Sequence, residues 1–134
     1  MLANLNYIHI LVATLVYFFL GALWYSVLFQ KPWVKLNKIV MNEDSRKGMP
    51  LLFAKTFLLN LIVTISTAAV LYFVQPVSLM AAIKTGALLG VGFVGSITAL
   101  NNMYVQRPFM LTLIDSGYNI VSIILVSIIL TMWH

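Results

Sequence analysis

Four stretches of the chain carry apolar side chains on nearly every side, and short polar segments separate them. They fall near Leu5–Phe29, Leu51–Val74, Leu79–Leu100 and Phe109–Met132. Each is long enough for a helix crossing a hydrocarbon core of roughly 30 Å, which takes about 20 residues. None shows the period-two alternation of an outer-membrane strand, so the pattern predicts helices rather than a barrel. The expected architecture is all-α: a four-transmembrane-helix bundle making one integral membrane domain over residues 1–134. Between the first and second runs, Trp33, Leu36 and Val40 recur at helical spacing beside Lys35 and Lys38. With Pro32 ahead of them, they predict a short cytoplasmic helix lying in the membrane interface. Asn42–Gly48 is then a polar turn leading to Pro50.

Composition supports the same class: 62% of residues are hydrophobic and 8% charged, more apolar surface than a soluble domain of this size buries. The net charge of +5 does not point to nucleic acid, because the positive residues are sorted by loop. Lys31, Lys35, Lys38, Arg46, Lys47 and Lys55 surround the loop between helices one and two, and Arg107 lies between three and four. Lys84 alone falls on the other side. That bias predicts N- and C-termini outside a bacterial-type inner membrane. Met1–Tyr7 has no Lys or Arg and the first run is too long for a signal peptide, so it is expected to stay and span. Trp24, Trp33, Tyr104 and Trp133 fall near the expected boundaries, where aromatic side chains gather.

Polarity inside the runs is concentrated. Thr56, Asn60, Thr64 and Thr67 share a sector of helix two, and Thr112, Asp115, Asn119 and Ser122 repeat the pattern on helix four. Two such stripes are expected to face inward, toward each other or toward a shared cavity. Asp115 is the acidic residue within the expected spans. A carboxylate there needs a partner or a proton. Lys55, Arg107 and the Tyr25 hydroxyl compete for that role. Trp24, Tyr25 and Ser26, at the end of helix one, come to a similar depth, and Tyr118 lies one turn beyond Asp115. These residues, with Asn60, Asn119 and Lys55, form the candidate site for a small molecule, ion or proton. On helix three, Ala82, Gly86 and Gly90 make one small-residue face and Gly92, Ser96 and Ala99 a second. Such faces allow close helix approach, within a central helix three or across a homodimer.

The chain has no cysteine, which excludes disulfides and thiolate catalysis. His9 and His134 are too few for a zinc site. No metal or cofactor is expected, and no catalytic residues can be named, since no HExxH, P-loop or GxSxG motif is present. Two functional readings stand: a small transporter or ligand-binding protein with its site near Asp115 between helices one, two and four, or a non-catalytic accessory or assembly protein whose polar residues hold the bundle together.

The run Gly21-x-Leu23-Trp24-Tyr25-Ser26, with Phe29 and Trp33 after it, and the segment Leu113-Ile114-Asp115-Ser116-Gly117-Tyr118 resemble the small membrane proteins grouped as domain of unknown function 1761. The chain differs from that pattern in having Val27 in place of proline and Gln30 in place of glycine. The resemblance covers nearly the whole chain and implies a four-helix membrane protein of uncharacterised activity.

Overall fold

The computed structural model describes residues 5–25 and 49–133. Among them are four helices and no strand. Helix α1 is Tyr7–Leu23, α2 is Met49–Val74, α3 is Leu79–Tyr104 and α4 is Phe109–Met132. The last three are each long and apolar enough to cross a membrane. The 17 residues of α1 span about 26 Å, slightly less than a hydrocarbon core. The expected interfacial helix at Pro32–Met41, Ser26 and the lysines of the first loop lie outside the described residues.

Local chemistry accounts for the helix ends. Asn6 caps α1, its side-chain oxygen accepting from the amides of Ile8 at 3.1 Å and His9 at 3.2 Å. Ser78 caps α3 through the Ala81 amide at 3.1 Å. At the far end of α3 the Gln106 amide donates to Met103 and the Arg107 amide to Asn102, closing a Schellman turn before Pro108. Such a turn needs a residue of positive φ, and Gln106 sits at φ 57° where glycine is usual. Replacing Gln106 by glycine is therefore expected to raise stability by about 1 kcal/mol, read as a higher unfolding midpoint in detergent.

Apolar and polar residues are distributed as lipid solvation requires. Phe19, Leu88, Phe93 and Phe109 are exposed on the helix surfaces, while Thr14, Thr64, Ser122 and Ser127 are buried. An outer surface of this kind would drive aggregation in water. Helix α4 is the hub: α1, α2 and α3 all pack on it, and ten of its residues are buried. This corrects the expectation that helix three is the centre. The reason lies in the direction of the glycines. A Cβ built on Gly86 would stand 2.8 Å from the Ile124 Cα, and one on Gly90 would stand 3.0 Å from the Ile120 Cα, so both glycines are used against α4. The other face of α3 is open: Gly92 and Ser96 are exposed, and the nearest neighbour to a Cβ on Gly92 is Leu88 of the same helix. Between Leu88 and Gly95 the helix is wound wider, in π form, and the Ser96 hydroxyl donates to the Val91 carbonyl five residues back at 3.0 Å.

Candidate functional site

The seam between α1 and α4 is built from two reciprocal glycine–aromatic contacts. The Trp24 indole lies on Gly117, where a Cβ would meet its ring at 3.2 Å. The Tyr118 ring lies on Gly21, where a Cβ would meet the hydroxyl at 2.7 Å. Glycine is needed at both places because a ring on one helix touches the backbone of the other. The polar tip of each ring then reaches a main-chain carbonyl across the seam, as buried indoles and phenols require. Trp24 Nε1 donates to the Ile114 carbonyl at 3.0 Å, and the Tyr118 hydroxyl to the Tyr17 carbonyl at 3.1 Å.

Around this pair lie the ionisable and amide groups. The Tyr25 hydroxyl donates to Asp115 Oδ1 at 2.7 Å. Tyr17 donates to Asn119 Oδ1, and Asn119 Nδ2 donates to the Asp115 carbonyl at 3.1 Å. Tyr17, Tyr25 and Tyr118 are further joined edge to face, with Tyr118 at 5.3 Å from Tyr17 and 5.4 Å from Tyr25. From α2, Asn60 approaches the Tyr118 hydroxyl. It is 6% exposed, and its Nδ2 makes no hydrogen bond.

Of the residues proposed from sequence, Trp24, Tyr25, Asp115, Tyr118 and Asn119 come together at this seam and Asn60 closes it from α2. Lys55 does not join them. It is exposed on α2, and among the described residues the Tyr25 hydroxyl, not Lys55 or Arg107, is the partner of Asp115. This agrees with the helical angle, which turns Lys55 about 100° from the Asn60 stripe. Tyr17 joins them, as the helix face it shares with Gly21 and Trp24 allows.

The two polar stripes do turn inward, but they do not face one another. Thr64 and Thr67 are buried and Thr56 half-buried, each closing at 2.8 Å on the carbonyl four residues back in α2. On α4, Thr112 accepts from Asn102 of α3 at 3.0 Å, while Asp115 and Asn119 turn to α1.

Asp115 is half-buried, its Oδ1 is held by Tyr25, and its Oδ2 accepts no hydrogen bond among the described residues. It lies about 9 Å along the axis from the start of α4, near the end of the bundle where α1 finishes.

The described residues are all helical, and three of the helices are long and apolar enough to cross a membrane, which suggests a helical membrane protein. Within that class the match is particular: the family model described as "Protein of unknown function (DUF1761)" matches residues 8–131, and the chain belongs to that family. No curated protein and no solved structure matches it.

Proposed function

We propose that the protein is a small four-span membrane transporter or ligand-binding protein in which Asp115 takes up a proton or small cation. The observation carrying this reading is the half-buried carboxylate with one oxygen on the Tyr25 hydroxyl and the other unpartnered, inside an apolar helix and with no cation paired to it among the described residues. A carboxylate within an apolar span with no cation beside it is by default a site for a proton or a small cation. The Tyr25 hydroxyl can donate to the ionised form or turn away when a ligand arrives. Loop charge supports an orientation with both termini outside and this end of the bundle facing the cytoplasm of a bacterial-type inner membrane. In that setting the 17-residue α1 crosses with its aromatic end at the interface. Gly92 and Ser96, left open on α3, supply a face for a second copy.

The test is flux in proteoliposomes carrying a pH-sensitive dye, driven in turn by sodium, potassium and tetraphenylphosphonium gradients. Wild-type protein is expected to move protons against at least one of them. Asp115→Asn is expected to lose at least about tenfold of that rate while its unfolding midpoint stays within a few degrees. Equal flux in Asp115→Asn, or no flux in the wild type with any of the three, removes the reading.

A non-catalytic accessory role is favoured by a different observation: Thr14, Thr56, Thr64, Thr67 and Ser127 are all satisfied by their own helix backbones. A bundle so provided needs no ligand to hold it. In that case Asp115→Asn lowers stability and no small molecule raises the unfolding midpoint.

A further inference from the structure

At the end of the bundle opposite Asp115, α1 begins while α2 and α4 finish, and a cavity of about 440 Å³ opens between them. That volume lies within the range of small-molecule sites, about 300–1,000 Å³. Its walls divide by chemistry. Ile10, Ala68 and Leu71 are buried apolar residues on one part, and His9, Gln75 and Thr131 are polar groups on another.

Thr131 is the decisive residue. It is 7% exposed, lines the cavity, and its Oγ1 has no hydrogen-bond partner. Thr64 and Ser127, by contrast, close on the carbonyl four residues back at 2.8 Å. Thr131 does not, and its buried hydroxyl is left unpartnered at the cavity wall. Ser116 and Ser122 also have unpartnered hydroxyls, but they do not line this space. The His9 ring is held in place by stacking on Trp133, with centroids 4.0 Å apart and planes at 23°.

Among the described residues the cavity wall contains no Lys, Arg, Asp or Glu. A charged group buried there would lose its hydration without gaining a counter-ion. The floor is apolar and the cavity lies at the end of helices of membrane-crossing length, where a molecule dissolved in the bilayer presents its polar head. We propose that this cavity binds a neutral amphiphile, with a carbonyl- or hydroxyl-bearing head hydrogen-bonded by Thr131, Gln75 and His9 and a hydrocarbon body against Ile10, Ala68 and Leu71. Both an isoprenoid-type quinone and an acylglycerol carry that chemistry. The site is separate from Asp115 and does not depend on the function proposed for it.

The test uses purified full-length protein in detergent, titrated with decylubiquinone, monodecanoylglycerol and decyl phosphate while the unfolding midpoint is read. At least one of the two neutral probes is expected to raise the midpoint with concentration, and the responding probe identifies the source as quinone or acylglycerol. Decyl phosphate is expected to have no effect. Thr131→Val keeps the shape of the side chain and removes an unpartnered hydroxyl. It is expected to fold at least as well as wild type and to bind the neutral probe about fivefold to tenfold more weakly. Ala68→Leu fills the floor and is expected to abolish the shift, whereas Asp115→Asn is expected to bind as wild type does. The proposal is overturned if neither neutral probe shifts the midpoint, if decyl phosphate shifts it equally, or if Thr131→Val binds with wild-type affinity.

Discussion

Gly86→Val is expected to prevent stable packing of α3, lowering stability by about 3 kcal/mol, the upper end of what overpacking costs. The Cβ alone would stand 2.8 Å from the Ile124 Cα and 3.0 Å from the Ser127 hydroxyl. The first of these is backbone in the middle of α4, which no rotamer change can move aside. Relief comes only by separating the helices. In lipid that is a direct loss, because close contact rather than water exclusion holds transmembrane helices together. Gly92→Val is the control: its Cβ meets only a Leu88 methyl at 3.5 Å, so stability is expected to change by less than about 0.5 kcal/mol. Unfolding of both variants in mixed micelles of increasing denaturing-detergent fraction reads the difference. Equal behaviour would mean that α3 and α4 do not approach as closely as described.

Gly21→Ala is expected to cost about 2 kcal/mol through a different clash. Here the obstacle is the Tyr118 ring, with its hydroxyl at 2.7 Å and its ring carbon at 2.9 Å from the new methyl. A tyrosine end is ordinarily free to swing. This one is bonded to the Tyr17 carbonyl and packed edge to face between Tyr17 and Tyr25, so displacement breaks several contacts together. The disturbance passes to Asp115, whose partner Tyr25 leans on the displaced ring. Tyr118→Phe removes the nearest atom but leaves the ring, so the double variant is expected to be less destabilised than the sum of the single ones by about 0.5–1 kcal/mol. A double-mutant cycle on unfolding midpoints measures that coupling. Strict additivity would show that the two positions are not in contact.

The glycines illustrate what could be read from the chain and what could not. The spacing of Ala82, Gly86 and Gly90 correctly marked a face of α3 that another helix approaches. It also suggested a central helix three, because a second small-residue face follows it at Gly92 and Ser96. Small residues permit close approach but do not create it. α4 occupies the first face, and the second is exposed. Gly21 and Gly117 were visible as parts of two sequence segments, yet each acquires its meaning from an aromatic residue on the other helix. Those partners are roughly ninety residues away in the chain, so no local period reports them.

The candidate site was legible to the same extent. Helical angle alone turned Lys55 away from the Asn60 stripe, and depth alone brought Tyr25 level with Asp115. Which of three rivals held the carboxylate was a matter of azimuth between two helices, which depth cannot supply. The cavity around Thr131 escaped the sequence altogether, because its wall gathers the beginning of α1 with the ends of α2 and α4. His9 there reads as a lone interfacial side chain until Trp133 is placed beside it.

By itself the sequence determined the solvent and the elements. Runs of apolar residues long enough to cross a bilayer set α2 and α4 to within two residues and the start of α3, which runs four residues beyond the expected Leu100, since in lipid every backbone amide must be satisfied within its own helix. It also determined that polar groups on α2 and α4 would face protein, because lipid offers them no hydrogen bond. Tertiary structure decided the rest. It made α4 the hub, spent Gly86 and Gly90 on that helix, gave Asp115 to Tyr25, and left a cavity at the opposite end. These outcomes depend on the rotation of each helix about its own axis, and that rotation is settled by how side chains from distant segments interlock.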